Sequence, residues 1–131
     1  MIFFLTGFLL SGAVADEVIT VNCQNADLEI GCSDGRCYAS KAGEFTPMSL
    51  AFNDAGSVSA CAYAGCFDGQ GDVQGDERYL SIIARNLVFS PNVNDTPYQA
   101  DVVIVWDRLD NVALVKMAGF AQPLTCQILQ P

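Results

Sequence analysis

The chain has no histidine. That removes the commonest general base, the usual metal ligand and the side chain that titrates near neutrality. A Ser-His-Asp or Cys-His catalytic unit is excluded with it. Basic residues are scarce: six Lys and Arg stand against fifteen Asp and Glu, for a net charge of −9. A phosphate backbone needs many cations to displace its counterions, so nucleic acid is not an expected partner. Anionic lipid surfaces are disfavoured on the same ground. The chain also lacks a Gly-rich phosphate loop, a Gly-x-Ser-x-Gly elbow and any Cys-x-x-Cys pair. Carboxylates are what is left for catalysis. Two acids facing each other across a cleft can hydrolyse a glycoside, but fifteen acids in 131 residues make close pairs by chance. The expectation is a protein that is not an enzyme and uses no cofactor.

The one long apolar run comes first. Residues 1–15 read Met-Ile-Phe-Phe-Leu-Thr-Gly-Phe-Leu-Leu-Ser-Gly-Ala-Val-Ala. Ala13-Val14-Ala15 fits the small-residue cleavage rule of a secretory signal peptide, with Asp16 next in line. No Lys or Arg precedes the apolar core, so only the α-amino group supplies positive charge. The alternative, a membrane anchor, needs roughly 20 apolar residues; this run stops at Asp16-Glu17. Leu9-Leu10-Ser11-Gly12 approaches a lipoprotein box, but Ala13 stands where the acylated Cys belongs. Residues 1–15 are therefore expected to be a signal peptide. Residues 16–131 are expected to be one domain, large enough to bury a core of its own and not inserted in a membrane.

Six cysteines follow: Cys23, Cys32, Cys37, Cys61, Cys66 and Cys126. An even count behind an export signal reads as disulfides. Cys32-Ser-Asp-Gly-Arg-Cys37 and Cys61-Ala-Tyr-Ala-Gly-Cys66 share one spacing, and each holds a glycine that can turn a short hairpin. Pairing within each unit leaves Cys23 and Cys126 to tie the first strand to the last. A rival pairing joins the units, for example Cys37 to Cys61. A four-thiolate zinc site also fits the spacing, although an oxidising compartment favours disulfides.

Hydrophobic residues recur with period two. Strands are expected at Glu17–Cys23, Phe45–Phe52, Val58–Tyr63, Asp101–Asp107, Val112–Phe120 and Leu124–Leu129, with Asn53-Asp54-Ala55-Gly56-Ser57 as a hairpin turn. Short strands with turn signals between them predict an all-β domain, a barrel or sandwich of about eight antiparallel strands tied by disulfides. Asp76–Phe89 reads two ways. It fits a helix capped by Asp76 with Leu80, Ile83 and Leu87 on one face, and it fits a long strand apolar on both faces; the neighbouring strands favour the second. Ser90–Ala100, with Pro91, Asn92, Asn94 and Pro97, is the longest expected loop.

Few motifs suggest a site. Asp68-Gly69-Gln70-Gly71-Asp72-Val73-Gln74-Gly75-Asp76-Glu77 alternates oxygen ligands with glycines, as a calcium loop does. It fails the EF-hand pattern, with Val73 at the required glycine and Tyr79 at the bidentate Glu. Asp68, Asp72 and Asp76 are thus weak calcium candidates in what reads as a solvated hairpin loop, and no metal is expected. Of the aromatics, Trp106 reads as core and Tyr98, in the Pro/Asn loop, as a possible contact with a partner. Asn94-Asp95-Thr96 is a formal glycosylation acceptor followed unfavourably by Pro97.

The signal peptide, a first strand ending in Cys23, the Cys-x4-Cys hairpins and the closing Ala118-Gly119-Phe120-Ala121-Gln122-Pro123-Leu124-Thr125-Cys126 segment resemble short secreted proteins of alphaproteobacteria without assigned function. The layout is also similar to periplasmic lysozyme inhibitors of the β-barrel type, which tie a first-strand Cys to a C-terminal Cys. The inhibitors' enzyme-contacting loop has no counterpart in this chain, so no functional residue is carried over. The resemblance implies a secreted or periplasmic binding or inhibitory module, with a cationic protein such as a lysozyme as partner. The acidic surface would steer such a partner, and equally it serves solubility. A small-ligand carrier with a hollow barrel and a structural envelope protein are the alternatives.

Overall fold

The computed structural model describes residues 17–62, 65–90 and 98–129. The expected signal peptide at 1–15, Tyr63, Pro91 to Pro97 of the expected loop and the Asn94 acceptor lie outside the described residues. The described residues contain no helix and form antiparallel strands throughout: β1 (Thr20–Asn25), β2 (Leu28–Ser33), β3 (Arg36–Lys41), β4 (Met48–Asn53), β5 (Ser57–Ala62), β6 (Gly65–Gln70), β7 (Asp72–Gly75), β8 (Tyr79–Ser90), β9 (Gln99–Asp107), β10 (Val112–Met117) and β11 (Phe120–Leu129). Eight of them close a barrel in the order β1-β4-β5-β6-β8-β9-β10-β11, with β11 returning to β1. β2 and β3 extend the wall as a hairpin flap beside β11, and β7 lies along β8.

Alternation of side chains builds the interior. Met48, Leu50 and Phe52 of β4, Val102, Ile104 and Trp106 of β9, and Ala113, Val115 and Met117 of β10 all point inward and are buried. Each fully buried aliphatic or aromatic side chain contributes about 1.5–3 kcal/mol of burial free energy. An eight-stranded barrel is just wide enough for side chains to fill it. Trp106 is 1 % exposed and meets Phe52 edge-on, ring centroids 5.6 Å apart.

β8 resolves the ambiguous segment as a strand. Leu80, Ile82 and Ala84 point inward, and then the register slips: Ala84 faces Val102, whereas Leu87 faces Ala100. One extra residue on β8 is a bulge, and it restores Leu87 to the inner face. Asn86 sits there at φ 56°, its backbone N–H donating to Asp101 Oδ1 at 2.8 Å. The bulge reverses the parity of the apolar positions, which is why the sequence reads as apolar on both faces.

The three disulfides are Cys23–Cys126, Cys32–Cys37 and Cys61–Cys66. Each joins residues directly opposite in register: β1 to β11, β2 to β3 and β5 to β6. Pairing within each Cys-x4-Cys unit therefore holds, and no free cysteine remains among the described residues. Three such bonds belong to an oxidising environment.

Several boundaries differ from expectation. β1 begins at Thr20, not Glu17, and β4 at Met48, not Phe45. The expected strand Val112–Phe120 is two strands, because the chain turns at Ala118-Gly119, where Ala118 takes φ 51°. Asp68–Glu77 is not a loop: Asp68 lies in β6 and Asp72 in β7, both pairing with β8. Pro123 lies inside β11, where a missing N–H ordinarily costs a ladder bond. Here it falls where β11 changes neighbours, from β2 at Phe120–Ala121 to β1 at Thr125–Leu129. Asn25 fills the gap. Its Nδ2 donates to Pro123 O at 2.6 Å and to Leu28 O at 2.8 Å, while its Oδ1 accepts from Asp27 N at 2.7 Å.

Candidate functional site

The strand order gathers three turns at one end of the barrel: Asn53–Ser57, Gly75–Tyr79 and Asp107–Val112. Asn53 shapes the first, its Oδ1 accepting from Ala55 N at 3.1 Å and Ser57 N at 3.0 Å. Asp76 shapes the second by accepting from Tyr79 N at 2.8 Å and Arg78 N at 2.9 Å. Those two backbone donors, Tyr79 first, hold the Asp76 carboxyl below its ordinary value. Asp107 opens the third turn and accepts from Leu109 N at 3.0 Å. Arg78 crosses from the second turn to the third, with Nη2 3.0 Å from Asp107 Oδ2 and Nε 3.2 Å from Oδ1. This guanidinium contact holds the Asp107 carboxyl low and pushes Arg78 up. Arg78 also comes within 3.8 Å of Asp110.

The result is a braced acidic rim. Asp54, Asp76, Glu77, Asp107 and Asp110 outnumber Arg78 and Arg108 on it. Leu109 stands at the tip of the third turn, 72 % exposed. Arg108 turns back over the barrel mouth, its guanidinium carbon 5.4 Å from the centre of the Trp106 ring. Trp106 Nε1, Arg108 Nε and Asn111 Oδ1 are buried there without a hydrogen-bond partner.

The opposite end carries the other candidate. Tyr98 is 59 % exposed, yet its ring packs 5.6 Å from Phe67, which in turn lies 5.0 Å from Phe89. Its carbonyl accepts from Phe89 N at 2.9 Å. Tyr98 is thus anchored on one side and open on the other. Asp68, Asp72 and Asp76 are spread over β6, β7 and the turn after it. No group of three His, Cys, Asp or Glu able to hold a metal is found among the described residues.

Features the sequence did not flag lie elsewhere. Glu29 and Gln122 are buried side by side, with Gln122 Nε2 donating to Glu29 Oε2 at 2.6 Å. An open cleft of about 730 Å³ runs past the β1–β2 corner between Asn25, Leu28, Pro47 and Thr125. A second, almost wholly apolar groove of about 290 Å³ lies on the outer wall at Ile30, Val105 and Leu114. The outer groove depends on register, which fixes the side of the wall each residue faces. No family model matches this chain, and neither a characterised protein nor a solved structure matches it.

Proposed function

We propose that this chain is an exported binding module, secreted or periplasmic, that acts by contact with a cationic protein in the manner of a small inhibitor and performs no catalysis. The observation that carries the reading is the braced acidic rim. Leu109 projects from a hairpin fixed by Asp107 and Arg78, amid carboxylates that outnumber the cations. A rigid apolar tip costs little ordering entropy on binding, and the surrounding field speeds the approach of a positive partner. The filled interior disfavours the ligand-carrier alternative, since the inner positions are taken by residues such as Trp106, Leu50 and Ile104. Lysozymes are the first partners to test, because they are cationic and because the layout resembles that of their β-barrel inhibitors.

The test is inhibition of a panel of lysozymes by the purified protein, with association rates measured at low and at physiological salt. The expected result is binding whose on-rate falls as salt rises, since exposed charges act over about 10 Å at 0.1 M ionic strength. Leu109→Ser should speed dissociation and leave the salt dependence in place. No binding to any lysozyme at low salt would end the inhibitor reading. Binding indifferent to salt would remove the electrostatic part of it.

A further inference from the structure

The outer wall carries a pattern independent of the acidic rim. Ile83, Val103, Lys116, Ala121 and Ile30 stand directly opposite one another across β8, β9, β10, β11 and β2. Two residues nearer the rim, Ser81, Val105, Leu114 and Pro123 form the next row. Leu114 is 59 % exposed and Val105 40 %. The apolar groove lies beside Leu114, so the face offers both a projection and a recess. Neither row contains a carboxylate, on a protein of net charge −9. Apolar side chains gathered on one face, with a recess beside them, are the kind of surface that contact sites use.

Among the described residues, the charges on this face stand toward its two ends. Lys116 marks one end; its ammonium gives one proton to Ala118 O at 3.0 Å and keeps two to donate. Beyond Lys116, Asp101 is matched by Arg85 at 3.9 Å. The other end has Asp107 opposite Val112, with Asp110 beside them and Arg78 shared between the two acids. The face therefore runs from a positive end through an apolar middle to a negative end. Turned by 180° about an axis across the strands at the Leu114 row, it meets its own complement. Leu114 then packs against Leu114 of a second copy at the axis, with the apolar groove walls of both copies around the pair, and Lys116 comes over Asp107 and Asp110 of that copy. Such self-complementarity is the mark of an isologous contact, and two sheet faces pack in this way about 10 Å apart.

We infer that the outer face of β9, β10 and β11 is the contact surface of a two-fold dimer of this chain. The experiment is sedimentation equilibrium of the purified protein, with circular dichroism to check the fold of each variant. The unaltered protein should dimerise, and Leu114→Asp should be monomeric at every concentration. Lys116→Glu and Asp110→Lys should each weaken the dimer by about tenfold or more, because like charges then meet across the axis. The double variant should recover most of the loss, which a folding defect would not do. A monomer up to millimolar concentration would overturn the inference, as would a dimer indifferent to Leu114→Asp or unrescued by the double variant. A monomer that binds detergent micelles through Leu114 would also overturn it and assign the face to an apolar ligand.

Discussion

The seam between β1 and β11 and the flap of β2 and β3 use the same device to different ends. Each is an antiparallel pair with a disulfide between opposed residues. At the seam, Cys23 and Cys126 are buried and separated by 103 positions in sequence. At the flap, Cys32 and Cys37 are exposed and separated by five. Loop-closure entropy makes the long link worth about 4–5 kcal/mol and the short one about 2. The seam bond holds the barrel shut, whereas the flap bond stiffens a hairpin already set by its Asp34-Gly35 turn. Both turn residues have positive φ, 53° and 73°, as a tight hairpin requires.

Breaking the seam should have the largest effect. Replacing Cys23 and Cys126 together by alanine should cost about 4–5 kcal/mol. At roughly 4 °C per kcal/mol for a domain of this size, the melting temperature should drop by about 15–20 °C. A calorimetric shift of only a few degrees would erase the distinction between the two regions.

Asn25 joins the regions, so its loss should come next. Asn25→Ala removes hydrogen bonds to Pro123, Leu28 and Asp27. Each is worth about 0.5–1.5 kcal/mol, and about 2–3 kcal/mol in all is expected in denaturant unfolding. Amide exchange should quicken in β2 and β3 before it does in the barrel.

Replacing Cys32 and Cys37 by alanine should cost about 2 kcal/mol or less. The change should loosen the flap and leave barrel amides protected. Global unfolding of that variant at room temperature would show that the flap is part of the closure.

The smallest effect belongs to the acidic rim. Asp76 and Asp107 are held below the ordinary carboxylate value by their donors. The unfolded chain therefore takes up their protons first, at a pKa of about 3.9. Their contribution to stability is present above that value and is lost as pH falls through the lower, folded pKa. Asp107→Asn should be slightly less stable than the unaltered protein at pH 7, and the gap should close below about pH 4. A gap that stays constant down to pH 2 would show that Asp107 acts through shape and not charge.

Much of the architecture was legible because period two and the cysteine spacing report short-range physics. Val58 with Ala60, and Val102 with Ile104 and Trp106, point inward as alternation demands. The turn at Ala118-Gly119 was hidden because a single glycine inside an alternating stretch is a weak signal and Ala118, which takes the left-handed backbone, carries none. β7 was hidden because Asp72–Gly75 has no apolar alternation and owes its form to pairing with β8. Pro123 fell between the two expected strands, and its place inside β11 needed the structure, since its missing donor is harmless only where β11 changes neighbours. The acidic rim was visible as scattered acids but not as one rim, because only the strand order brings its turns together. In Val102–Trp106 the densest β-branched run was plain, but the choice of Val103 and Val105 as its outer residues needed the register.

Closure by the first and last strands also sets an order of events. β1 lies between β4 and β11, so half of its backbone partners arrive only with β11. A chain emerging from a ribosome would hold β1 with one side unpaired until β11 had followed. Contacts between residues so distant in sequence slow folding, and an unpaired strand edge invites association with other chains. Cys23 waits as a thiol over the same interval, while Cys32–Cys37 and Cys61–Cys66 can already form within their own hairpins. The time from emergence of Cys23 to that of Cys126 is thus the window in which a wrong partner sulfur is most available, and an isomerase would have most to correct.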